Sequence, residues 1–90
     1  MEKVKYPLEY IRWVDSCVMG GGPWHPLDEM ESTLTLLQGE SVGWIIRETD
    51  EVLIIVAHIT EGEQGAGGFA IPKAAVRERK TCRLGEPMEE

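Results

Sequence analysis

Between residues 41 and 84 the chain is patterned in a way that leaves few folds open to it. Residues 42–48 alternate, with Val42, Trp44 and Ile46 on one face and Gly43, Ile45 and Arg47 on the other. A period of two is the signature of a strand. Thr49, Asp50 and Glu51 supply a polar reversal. Residues 52–59 are apolar on both faces, which suits a central strand covered on both sides. Residues 61–68 hold four glycines and no large apolar residue, so they read as a loop. Residues 68–71 return as a strand. Pro72 then removes a backbone donor and stops the ladder. Lys73, Ala74, Ala75 and Val76 follow as a single helical turn, and residues 77–84 as a charged edge strand.

The N-terminal part is less strongly patterned. Residues 8–14 read as a strand with Ile11 and Trp13 on one face and Tyr10 and Arg12 on the other. Gly20, Gly21, Gly22 and Pro23 end that element. A brief helical turn is expected over 27–32 and a short lead-in strand over 33–37. Gln38, Gly39, Glu40 and Ser41 read as a turn. Five strands, a long first excursion and one late helical turn make an all-β domain over 1–84, followed by an acidic tail at 85–90.

Ninety residues bury a modest core. The three tryptophans are the expected anchors of that core. No stretch approaches the ~20 apolar residues of a membrane-spanning helix. The N-terminus lacks the apolar segment of a signal peptide. The expected location is therefore cytoplasmic, with Cys17 and Cys82 as reduced thiols. The formal net charge is −7, unevenly spread. Residues 28–63 carry nine acids and one base, Arg47, whereas residues 73–83 carry five bases and one acid, Glu78. Overall acidity opposes broad non-specific nucleic-acid binding, which rests on phosphate neutralisation.

The pieces Trp13-Val14-Asp15-Ser16, Ser41-Val42-Gly43-Trp44, the strand at 52–59 and residues 68–76 resemble those of small phage and prophage-encoded proteins. The order strand, Ile71-Pro72, one-turn helix, last strand resembles the end of an SH3-like β-barrel. The resemblance implies a small five-stranded SH3-like barrel with a long first loop and a one-turn helix before the last strand. It implies no activity and no catalytic residues. The paired-tryptophan, tyrosine-rich groove of peptide-binding SH3 domains is not reproduced.

Chemistry-bearing residues are sparse. Cys17, His25, His58 and Cys82 lack the paired spacing of a zinc site. Cys17 with His25 or His58, and Asp15 behind them, lacks any bracketing nucleophile motif. Neither glycine cluster is followed by the Lys-Ser/Thr of a phosphate loop. The expectation is a non-enzymatic module with no cofactor and no metal. Its protein-binding candidates are Tyr10, Trp24, His25 and Pro26, because tryptophan and tyrosine dominate interface hot spots. The contacts are expected in loops 20–30 and 61–68, to a protein partner or a second copy of the chain. The alternative is RNA or DNA binding through Lys73, Arg77, Arg79, Lys80 and Arg83.

Overall fold

In the computed structural model, residues 6–22 and 24–85 are described. The expected tail at 85–90 therefore lies outside the described residues, apart from Gly85. The main element is a five-stranded antiparallel sheet. Its strands are β1 (Leu8–Asp15), β2 (Leu37–Glu48), β3 (Val52–Val56), β6 (Phe69–Pro72) and β7 (Val76–Thr81). They lie in the order β6-β3-β2-β1-β7. Between β3 and β6 a small hairpin pairs β4 (His58–Ile59) with β5 (Gly65–Ala66). One helix, α1 (Leu27–Thr33), lies in the excursion between β1 and β2.

Local chemistry explains the turns. Thr49 closes the β2–β3 reversal: its Oγ1 accepts the N–H groups of Glu51 and Val52 at 3.2 and 3.1 Å, and its own N–H donates to the Val52 carbonyl. Short hydroxyl side chains stabilise turns in this way. Pro72 ends β6 as expected, and the chain makes a 3-10 turn over Lys73–Ala75. The Lys73 N–H returns to the Glu51 carbonyl at 2.8 Å, tying this turn to the β2–β3 reversal.

One face of the sheet holds the core. Ile11, Ile45, Leu53, Ile55 and Ile71 are buried together, with Trp13 and Val76 packed against them. β1 and β6 stand three places apart in the sheet. The Trp13 ring on β1 reaches over Gly39 of β2 and meets the Phe69 ring of β6, with centroids 5.3 Å apart. Register shifts at Arg12/Trp13 and at Ile45/Arg47 mark bulges, which sharpen bending.

Several expectations are corrected. Gln38 to Ser41 is no turn; it lies inside β2, paired with β1 from Leu37 to Trp44. Gly39 is needed there because the Trp13 ring lies across it, 2.6 Å from where a Cβ would stand. The strand expected over 52–59 breaks after Val56, where the Ala57 N–H turns to the Ala66 carbonyl. Loop 61–68 is accordingly part of a hairpin. The last strand stops at Thr81 rather than 84. The tryptophans are not the buried core: Trp13 and Trp44 are half-buried and Trp24 is exposed, while isoleucine, leucine and valine fill the interior.

Candidate interaction surfaces

The segment 16–36 leaves the sheet where Asp15 pairs with Leu37. Gly21 and Gly22 have φ of 80° and 58°, the left-handed region that glycine enters at little cost. Trp24 follows with 91% of its surface exposed. His25 Nε2 lies 2.9 Å from the Gly22 carbonyl oxygen, so His25 braces the turn behind Trp24. Pro26 stands at the N-cap of α1, and its carbonyl accepts the Met30 N–H. α1 buries none of its residues, and Val18 and Leu27 are exposed beside it. This arm is also acidic, with Asp28 and Glu29 in the first turn of the helix.

Trp24, His25 and Pro26 are thus consecutive on one arm, but Tyr10 is not with them. It sits on the outer face of β1, six residues before the arm begins. Its hydroxyl donates to Glu40 at 2.9 Å. That hydrogen bond, with the negative charge beside it, raises the Tyr10 pKa.

The hairpin at 58–66 is held by Thr60. Its N–H donates to Gln64, its carbonyl accepts from Glu63, and its Oγ1 accepts the Gln64 N–H. Residues 60–68 are exposed throughout.

The basic segment is less available than its sequence implies. Arg79 grips two carboxylates at once: Glu9 through Nε and Nη2 at 2.8 and 3.0 Å, and Glu48 through Nη1 and Nη2 at 3.0 and 3.1 Å. Forked pairing of this kind is the strong form of an arginine–carboxylate contact. Lys73 reaches Glu48 at 2.6 Å. Arg79 first, and then Lys73, hold the Glu48 pKa down to about 2. Glu9 and Glu48 in turn push the Arg79 pKa up. Lys80 pairs with Glu78, which Arg12 also contacts. These two cations, Arg12 foremost, lower the Glu78 pKa. Arg77 donates to the carbonyls of Ala74 and Val76. Of the five bases, Lys73, Arg79 and Lys80 are ion-paired within the chain.

A further surface was not singled out from the sequence. Trp13 Nε1 donates to Ser41 Oγ at 3.1 Å, and Trp13 leans on Phe69, which is 44% exposed although it lies on the core-facing side. A groove of about 200 Å³ opens beside them, where β3 leaves β2. The available signal was Gly39 and Gly43 within a strand, since strand glycines often mark close approach of another group.

Cys17 and Cys82 are free, half-buried thiols. Among the described residues no group of three or more His, Cys, Asp or Glu is placed to hold a metal ion, and no helix is long and apolar enough to cross a membrane. No protein-family model, curated protein or solved structure matches this chain.

Proposed function

We propose that this chain is a non-enzymatic protein-interaction module of phage or prophage type, built as a small SH3-like barrel. It binds a protein partner through the arm at 20–30, with the hairpin loop at 61–68 as a second contact. The barrel reading is supported by the strand order, by the 3-10 turn joining the two outermost strands, and by the contact of Trp13 with Phe69 across the sheet.

The observation that carries the functional reading is Trp24. A tryptophan 91% exposed, on an arm whose helix buries nothing, contributes little to folding. Buried at an interface, the same side chain is a typical hot spot. Nucleic acid is the weaker candidate, because the ion pairs of Lys73, Arg79 and Lys80 already neutralise most of the basic segment.

The test is Trp24→Ala in a tagged chain, used to capture partners from host lysate with and without nuclease. The expected result is a melting temperature unchanged within about 0.5 kcal/mol of stability, as for an exposed substitution. A discrete, nuclease-resistant partner should be lost or weakened at least tenfold, the roughly 1.4 kcal/mol or more of a hot spot. Unfolding of the variant would show that Trp24 serves the fold. Capture that disappears with nuclease would move the function to residues 73–83.

A further inference from the structure

β2 is twelve residues long, but its two neighbours cover it unequally. β1 pairs with it from Leu37 to Trp44, whereas β3 pairs with it only from Trp44 to Glu48. β3 cannot continue, because beyond Val56 its backbone turns to β5. Among the described residues, residues 38–43 of β2 therefore have a strand partner on one side only.

The pairing pattern shows which groups are left over. The Ile45 N–H donates to the Pro7 carbonyl, on the β1 side. In an antiparallel ladder, residues alternate in the direction their N–H and C=O point. Gly43, Ser41 and Gly39 thus face β1, and Val42, Glu40 and Gln38 face away from it. Three N–H donors and three C=O acceptors stand in a row along an exposed edge. Such rows are templates for another strand, and folded proteins usually blunt them with charged side chains, proline or very short strands. In residues 38–42, Gln-Gly-Glu-Ser-Val, the single such device is the charge of Glu40, which repels an acidic strand and not a basic one.

We propose that this edge, residues 38–42, is a strand-addition site for an extended segment of a partner protein in which apolar and basic side chains alternate. Added strands bind through backbone hydrogen bonds and read sequence through pockets for alternate side chains. The groove at this edge is lined by Ser41, Val42, Ile55, Val56, Ala57 and Phe69. Its volume of about 200 Å³ is below the ~300 Å³ where small-molecule sites begin. It suits one branched apolar side chain. Phe69 supplies the aromatic wall against which that side chain would pack. The charge of the occupant follows from Glu40. It is the one charged residue in 38–42, and the chain as a whole carries −7. A basic side chain directly opposite a carboxylate is favourable in a strand pair, and an acidic one is not.

This site is separate from the arm and does not depend on the arm reading. The probe is a capped seven-residue peptide of alternating lysine and valine, titrated into the isotopically labelled chain at low salt and read by backbone amide NMR. Shifts and slowed exchange are expected at Gln38, Glu40 and Val42, with little change at Trp24. The same peptide N-methylated on alternate residues, which removes its donors on one edge, should bind at least tenfold more weakly. So should a glutamate–valine peptide. Val42→Pro, which removes one outward donor without touching a bond to β1, should weaken binding similarly. If that variant misfolds, the N-methylated peptide still decides. No perturbation at millimolar peptide would overturn the proposal. So would binding indifferent to N-methylation, or equal binding of the acidic peptide. Concentration-dependent protection of the same three amides without peptide would assign the edge to a second copy of the chain instead. Trp24→Ala should leave peptide binding intact, so failure here leaves the arm reading standing, and the converse.

Discussion

Replacing Gly43 by alanine adds one methyl group, and the structure gives its consequence a sign. A Cβ at Gly43 would lie 2.5 Å from the Val56 carbonyl oxygen and 2.8 Å from Ile55 Cγ1. Neither neighbour yields easily. Val56 is the last residue of β3, and Ile55 is 3% exposed in the core cluster. Relief requires β3 to shift by most of an ångström at the point where it crosses β2. Forcing extra volume into a packed site costs about 1–3 kcal/mol, and a clash with backbone belongs at the upper end. At about 2–3 kcal/mol, the melting temperature falls by roughly 10–20 °C for a domain of this size. The same substitution at Gly20 meets nothing within 4 Å, and no positive φ stands in its way. There alanine should stabilise by about 0.4–1 kcal/mol, by restricting the unfolded chain. Thermal and urea denaturation of the two variants in parallel is the assay. A Gly43→Ala protein as stable as the parent, or a Gly20→Ala protein that loses more than it, would refute the packing account of the β2–β3 crossing.

Three other outcomes follow from the ion-pair cluster and the open edge. Arg79→Met should cost about 1–3 kcal/mol, because it leaves Glu9, only 9% exposed, without its partner; adding Glu9→Gln should recover at least about 1 kcal/mol in urea titrations. Glu48 has a folded-state pKa of about 2 against an ordinary 4.5. Its contribution to stability is therefore full above about pH 4.5 and lost as pH falls through 2. The Glu48→Gln variant should be less stable near neutrality and show a shallower decline between those pH values; parallel melting curves of parent and variant would contradict it. Amide hydrogen exchange of the free chain should be fast at Gln38, Glu40 and Val42 and slow at Gly39, Ser41 and Gly43, and uniform protection along β2 would show that the edge is covered.

What could be read from the sequence was what depends on near neighbours. Alternation placed β1 and the second half of β2, with Ile11 and Trp13 sharing one face. Pro72 placed the end of β6 and the helical turn after it. Each failure came from a contact between distant segments. Gln38 to Ser41 carries turn-forming residues, but Gly39 and Ser41 are there to receive the Trp13 ring and its N–H. Residues 52–57 are uniformly apolar, so nothing local marks Ala57 as the point where one hydrogen-bonding partner is exchanged for another. The five bases of 73–83 look like an available patch because the carboxylates that hold Arg79 lie 70 and 31 residues away. Tryptophan content, in turn, says nothing about where each ring will sit. Trp24 is carried outward by a glycine turn, while Trp13 is drawn across the sheet.

The pairing of Asp15 with Leu37 has a consequence for how such a chain can change. Paired residues in an antiparallel ladder have Cα atoms only about 5 Å apart. The two ends of the 21-residue excursion between them are already together. A two-residue reversal spans that gap as well as a longer loop does. The excursion is thus an interchangeable cassette: it can be shortened, lengthened or replaced while the strands beneath keep their register. Recognition carried by the cassette and stability carried by the sheet are free to evolve, or to be engineered, one without the other.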